Sequence, residues 1–163
     1  MNKFPIPADA TSRDVVEREN GHGLGVFAAR EFSPDEEIFV FDAVFVTSPD
    51  KYTIQVDEAK HLQTGTHIGL LLSHSCAPNA RFCGEQLGLF AIAPIQTGEE
   101  LTFDYLCTEW DMAVPFECRC GAEPCHGTIS GFRHLSPPEQ RSLAPHALPH
   151  LRKRIESPVR QPG

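Results

Sequence analysis

Apolar residues in this chain come in short bursts broken by glycine, proline and acidic turns, a pattern that predicts short strands and loops with few long helices. Val15-Val16 and Val26-Phe27-Ala28 flank a polar turn that holds Gly21, Gly23 and Gly25, the signature of a hairpin bent around glycines. Glu37–Phe41, Ala43–Val46 and Tyr52–Val56 are β-branched and aromatic runs, hence strands, with Thr47-Ser48-Pro49-Asp50 as a turn. The run Thr66–Leu72 leads into Ser73-His74-Ser75-Cys76-Ala77-Pro78-Asn79, where Pro78 stops any helix. Two more strands fit between Ala80 and Ala93, and Thr97-Gly98-Glu99-Glu100 turns into a strand over Leu101–Tyr105. From there to Glu117 no period is readable. Ser136-Pro137-Pro138-Glu139 is a capping box with proline at the first helical position, opening a helix that Pro145 ends, and a second short helix is expected between His146 and Ile155. Met1–Thr11 reads as an arm.

Composition narrows the function classes. The 163 residues fit one domain able to bury a core without disulfides, and 14 prolines with 12 glycines agree with a turn-rich chain. A net charge of −8 argues against direct nucleic-acid binding, since clustered Lys and Arg are absent before Arg152-Lys153-Arg154, itself read as a solvated face. An acidic surface would instead attract a basic peptide. Neither a signal-peptide pattern nor a run long enough to span a bilayer is present, so the expectation is an intracellular, cytoplasmic protein without a membrane partner. In a reducing compartment, six cysteines point first to metal.

Cys118, Cys120 and Cys125 stand on a C-x-C-x4-C spacing, one ligand short of a closed zinc site. The fourth ligand is Cys76 or His126, or else Cys76 is an inert buried thiol; Cys83 and Cys107 read as packing residues. The alternate glycines permit close approach of a ligand to main-chain amides, or mark only a tight turn. A dinucleotide-binding unit is a poor fit, because Glu31–Glu37 brings another turn where a crossover helix should open. Tyr105, alone, reads as a half-buried packing residue at a strand end.

Taken in order, the glycine-rich turn Gly21–Val26, the Ser-His-Ser-Cys-Ala-Pro-Asn block, Gly-Glu-Glu-Leu-Thr-Phe-Asp-Tyr at 98–105 and the cysteine triplet ending at Gly127 resemble a SET-domain protein-lysine methyltransferase with a post-SET zinc segment, over roughly residues 13 to 132. The resemblance implies a mainly β fold of small twisted sheets around a pseudoknot, with few short helices and a C-terminal zinc-binding loop. It divides the chain into an arm (1–12), a SET domain (13–112), a post-SET segment (113–132) and a short helical tail (133–163). It implies transfer of a methyl group from S-adenosylmethionine to a lysine side chain of a protein or peptide. Tyr105 is then catalytic, His22, Gly23, Leu24, Tyr52, Ser73 and His74 contact the donor, and Cys76 joins Cys118, Cys120 and Cys125 around a structural zinc. Asn79 and Asp104 hold the threaded loop. The chain departs from the family pattern at Ser73, where an Asn commonly stands, and at Thr128, where an aromatic or bulky apolar residue often follows the glycine, leaving channel closure to Trp110, Phe116 or Phe132. Two further readings are a SET-type scaffold that binds peptide or donor without transfer, and an N-methyltransferase for small amines.

Overall fold

The Val15–Ala28 segment folds as the expected hairpin in a computed structural model of the chain, which describes residues 14–64 and 68–156. Val15–Glu19 (β1) pairs antiparallel with Leu24–Ala28 (β2), so that Val15 faces Ala28 and Glu19 faces Leu24. The turn needs its glycines: Gly21 and Gly23 have φ of 87° and 134°, a region that side chains with a Cβ avoid.

Glu37–Val40 (β3) then enters a three-stranded antiparallel sheet in which Gly88–Ala91 (β9) is central and Ala80–Cys83 (β8) lies on its other side. Every residue of β9 is buried, as a central strand requires. A second antiparallel sheet places His61–Gln63 (β6) between Phe45–Val46 (β4) and Thr53–Gln55 (β5). Both sheets send side chains into one core, with Val26, Leu62, Leu89 and Leu101 fully buried.

The two middle blocks of the sequence meet in a third pairing. Ser73–His74 (β7) runs parallel to Thr102–Phe103 (β10), with Ser73 opposite Thr102 and His74 opposite Phe103. Asn79 fastens this arrangement, donating from Nδ2 to the Glu100 carbonyl at 2.8 Å and accepting at Oδ1 from the Thr102 amide at 3.0 Å. The strand expected over Leu101–Tyr105 is therefore only two residues long, and Tyr105 opens a 3-10 turn over Tyr105–Cys107. Asp104 causes the change: its carboxylate accepts from the Leu106 amide at 2.9 Å and caps that turn. The apolar run before Ser73 is likewise a 3-10 turn, over Ile68–Leu71.

Phe116–Glu117 (β11), where no period was readable, pairs antiparallel with Thr128–Ile129 (β12). The capping box forms as read, with Ser136 capping Pro137–Leu143 (α1), and the last helix (α2) spans Pro149–Glu156. These helices are more than a tail. Leu151 and Ala147 bury with Phe132 in a second cluster against Trp110, while Leu148 belongs to the main core. Arg154 lays its guanidinium 4.2 Å from the Trp110 ring centre, and His150 donates from Nε2 to the Thr108 carbonyl at 2.8 Å. Among the described residues no helix is long and apolar enough to cross a membrane. The arm Met1–Thr11, together with Thr66 and His67, lies outside the described residues.

A cysteine cluster beside a cleft floored by Tyr105

The fold brings Cys76 of the loop after β7 to the three cysteines of the β11–β12 connection, although 42 residues separate it from Cys118. The sulfur atoms of Cys76 and Cys118 stand 3.9 Å apart, and Cys76 to Cys125 and Cys120 to Cys125 are each 3.8 Å. A tetrahedral zinc with Zn–S bonds of about 2.3 Å requires sulfur–sulfur edges of about 3.8 Å, whereas a disulfide requires about 2.05 Å. The four thiols thus fit a zinc ion and no disulfide pairing among them. Burial pushes the Cys76 thiol up and lifts Cys118 to about 11. At Cys120 burial again pushes the thiol up, but hydrogen bonds at the backbone of Cys76 and Ala122 and from the Cys118 and Cys76 side chains together outweigh it and draw it down to about 6. A bound divalent cation supplies the remaining stabilisation that holds such thiols as thiolates. His126 is not part of the cluster; its Nδ1 lies 3.3 Å from Glu139. Cys83 and Cys107 also stand outside it.

His74 joins this cluster to the next feature. Its Nδ1 accepts the Tyr105 amide hydrogen at 3.1 Å, and its Nε2 lies 3.3 Å from the Cys76 sulfur. Burial lowers its pKa to about 4, with the His126 charge adding to the effect, so the ring is neutral near pH 7. Because Nδ1 accepts, the single ring proton sits on Nε2 and points at the sulfur. Asp104 Oδ1, at 3.6 Å from Nδ1, is no hydrogen-bond partner of the ring and serves its own turn; burial raises that carboxyl to about 6.

Beside the cluster opens a cleft of about 970 Å³. His22, Leu24, Tyr52, Ser73, His74 and Tyr105 all line it, as do Cys118 and Cys120. Gly23 does not line it; its carbonyl is taken by the Asn20 amide at 3.0 Å. The Tyr105 hydroxyl donates to the Leu72 carbonyl, and burial pushes its pKa upward, so the phenol keeps its proton. Its ring packs against Phe103, with centroids 4.9 Å apart, and against His74 at 5.2 Å. Of the aromatics considered for closure, Phe116 lines the cleft and packs 5.9 Å from both Tyr105 and His74. Phe132 is fully buried in the second cluster with Trp110 and does not reach the cleft.

Three cleft residues escaped the sequence reading. Glu100 Oε1 accepts from both Ser73 Oγ and Asn20 Nδ2, each at 2.7 Å. Glu109, a turn after Tyr105, is 7% exposed; its Oε1 accepts the Gln55 amide at 2.8 Å and the Thr108 hydroxyl at 3.2 Å. Burial raises its pKa to about 7, against the lowering effect of those two hydrogen bonds. For Asn20 and Glu109 no motif or period gives a signal; for Glu100 the signal was its place in the Gly98–Tyr105 block.

Known proteins are similar to this chain in sequence and in fold. The family model of the SET domain matches residues 23–106. Methyltransferase flvH of Aspergillus flavus is 38% identical over 86 residues, covering 45% of this chain and 47% of that protein. An H3 lysine-36-specific histone-lysine N-methyltransferase of Yarrowia lipolytica is 31% identical over 143 residues, which is 74% of this chain and 18% of that one. Histone-lysine N-methyltransferase met-2 of Caenorhabditis elegans is 32% identical over 132 residues, 74% of this chain and 9% of that one. The chain thus spans less than half the length of each of these relatives. Among solved structures, KRYPTONITE in complex with mCHG DNA and SAH superposes with a TM-score of 0.56 at 21% identity, over 68% of this chain and 27% of that one. With the matched segment reaching from the β2 turn through Tyr105, and the same mainly β architecture around it, the chain belongs to the SET domain family.

Proposed function

We propose that this protein transfers a methyl group from S-adenosylmethionine to the side-chain amine of a lysine in a protein or peptide. The observation that carries the reading is the placement of Tyr105: a protonated, buried phenol fixed to the Leu72 carbonyl, one residue from Ser73, at the cleft formed where β7 and β10 meet. The cleft volume of about 970 Å³ accommodates a donor of nucleoside size together with the end of a lysine. S-adenosylmethionine, when bound, supplies the electrophilic methyl and a sulfonium leaving group.

The chain's own residues supply alignment and dryness rather than strong acid–base chemistry. A free lysine is neutral in about one molecule in a few thousand at pH 7, and a channel walled by Phe103, Tyr105 and Phe116 disfavours its charged form. The Tyr105 hydroxyl spends its proton on Leu72 and keeps oxygen lone pairs for an amine hydrogen, which orients the nitrogen lone pair. Weak C–H contacts from the methyl group to nearby carbonyls add to this alignment. His22, Leu24, Tyr52, Ser73 and His74, which line the cleft, are assigned to the donor, and Gly23 to the turn that presents His22 and Leu24. Zinc on Cys76, Cys118, Cys120 and Cys125 would fasten the Phe116 wall to the β7 loop. In this reading 13–112 is the transfer body, 113–132 the metal-fastened wall and 133–163 the segment that carries α1 and α2. The net charge of −8 suits a basic segment around the target lysine.

A second reading is methylation of a small free amine, which a cleft of about 970 Å³ also admits beside a donor of nucleoside size. Isotope-labelled donor offered to lysine-containing peptides, to histones and to free amines separates the readings. Label in lysine side chains supports the first, label only in free amines the second, and no label with intact donor binding a scaffold without transfer. Y105F should lose about 10²-fold or more in kcat while binding S-adenosylhomocysteine within about threefold of wild type. Near-normal turnover in that variant overturns the assignment.

A further inference from the structure

One carboxylate in the cleft is held in a way that the transfer chemistry alone does not use. Asn20 at the end of β1, Ser73 in β7 and Glu100 before β10 converge from separations of 53, 80 and 27 residues. Asn20 Nδ2 and Ser73 Oγ both donate to Glu100 Oε1 at 2.7 Å, and they stand 3.4 Å from each other. The His22 amide donates to Asn20 Oδ1 at 2.9 Å, which fixes the amide flip so that the NH₂ faces the carboxylate. Gly25 makes the space. A Cβ there would overlap Glu100 Oε1 and come within 3.0 Å of Asn20 Nδ2. Glycine at this position therefore admits a side-chain carboxylate, where the sequence suggested the approach of a ligand to bare backbone.

The result is a carboxylate with one oxygen saturated by neutral donors and the other without a partner among the described residues. Glu100 forms no ion pair among the described residues, and all three side chains line the cleft. Two hydrogen bonds on Oε1 fix the carboxylate plane before any ligand arrives, so Oε2 is a preorganised acceptor for a cation. The proposed donor carries two cationic centres, the sulfonium and the α-ammonium. A carboxylate beside the sulfonium would stabilise the ground state most, because that charge is lost as the methyl leaves, and would raise the barrier. The ammonium keeps its charge throughout. Pairing there gives affinity without slowing transfer.

We infer that Glu100 receives the α-ammonium group of S-adenosylmethionine and that Asn20 and Ser73 are the positioning residues that aim it. The inference rests on the donor reading above. It is tested by calorimetry on the zinc-loaded protein with S-adenosylhomocysteine and with its analogue lacking the α-amino group. Wild type should prefer S-adenosylhomocysteine by about tenfold to a hundredfold, the span expected for a hydrogen bond between charged groups. E100Q should abolish that preference while still binding the deamino analogue, which also reports that the variant is folded, and N20A should reduce it several-fold. An unchanged preference in E100Q, or an equal loss for both ligands in N20A, overturns the inference while leaving the donor reading intact. Should E100Q bind neither ligand, N20A and S73A decide by the same ratio. A wild-type protein that binds neither ligand overturns the donor reading and this inference with it.

Discussion

Glu109 is the group through which burial in this fold should be most directly measurable. Its carboxyl is 7% exposed, and its pKa rises from 4.5 to about 7, mainly because burial disfavours the charged form. The sign follows from proton counting. Between pH 4.5 and 7 the unfolded chain has released this proton and the folded protein still holds it, so folding is favoured by low pH and loses stability as pH rises. A displacement of about 2.5 pH units corresponds to about 3 kcal/mol, fully developed above pH 7. E109Q removes the ionisation while keeping a carbonyl acceptor for the Gln55 amide, which lies at 2.8 Å in the native protein. Urea denaturation of zinc-loaded wild type and E109Q from pH 4.5 to 8.5 should therefore give similar stabilities at the acid end. At pH 8 the variant should be the more stable by about 2–3 kcal/mol, or several degrees in Tm. Asp104, raised to about 6, tilts both curves in the same direction and cancels in the difference. Parallel curves across that range, or a variant that loses ground as pH rises, would refute the assignment of burial as the dominant effect.

Two further tests follow from the geometry. Chelation of zinc should speed hydrogen exchange at the Phe116–Ile129 pairing and the Cys118 amide, with the central β9 amides unchanged, and C76S should bind zinc more weakly than wild type; undiminished stoichiometry and affinity in C76S would exclude Cys76 as a ligand. G131A should cost about 2–4 kcal/mol in chemical denaturation, because Gly131 has φ of 114° and a Cβ would stand 2.6 Å from the Trp110 carbonyl and 2.7 Å from Asp111 Cα; a loss under about 1 kcal/mol would show that the loop yields instead.

What the sequence disclosed was whatever is encoded locally or by chemically rare residues. The hairpin could be read from paired apolar runs around glycines, and helix α1 from Ser136 and Glu139, whose reciprocal bonds are confined to four residues. The cysteines were legible because thiols at metal spacing have few other uses, and their sulfur geometry agrees with that reading. Tyr105 was placed at a strand end, yet the Asp104 side chain competes for the backbone and turns the chain two residues early. Glu109 and Asn20 were invisible for a different reason. Each is an ordinary polar residue in its own stretch, and only contacts 54 and 80 residues away, to Gln55 and Glu100, give it a role. The helices after Leu135 are a tail in the division that the family resemblance implies, but Leu151 is fully buried against Phe132, a long-range contact that no local pattern encodes.

The position of His74 explains why a thiol and a tyrosine amide are served by one short motif. β7 and β10 run parallel, which sets His74 opposite Phe103 and carries the chain on to Tyr105 beneath the imidazole. The loop that follows β7 puts Cys76 on the other side of the same ring. A neutral imidazole has one donor and one acceptor, and both are spent: Nε2–H on a sulfur that zinc would keep anionic, Nδ1 on the amide of Tyr105. Neither Asn nor Gln spans the two points with a rigid plane, and a protonated histidine could not accept from the amide. The ring therefore makes the orientation of the Tyr105 backbone depend on the sulfur cluster, and the two features are parts of one packed unit rather than neighbours by accident of folding.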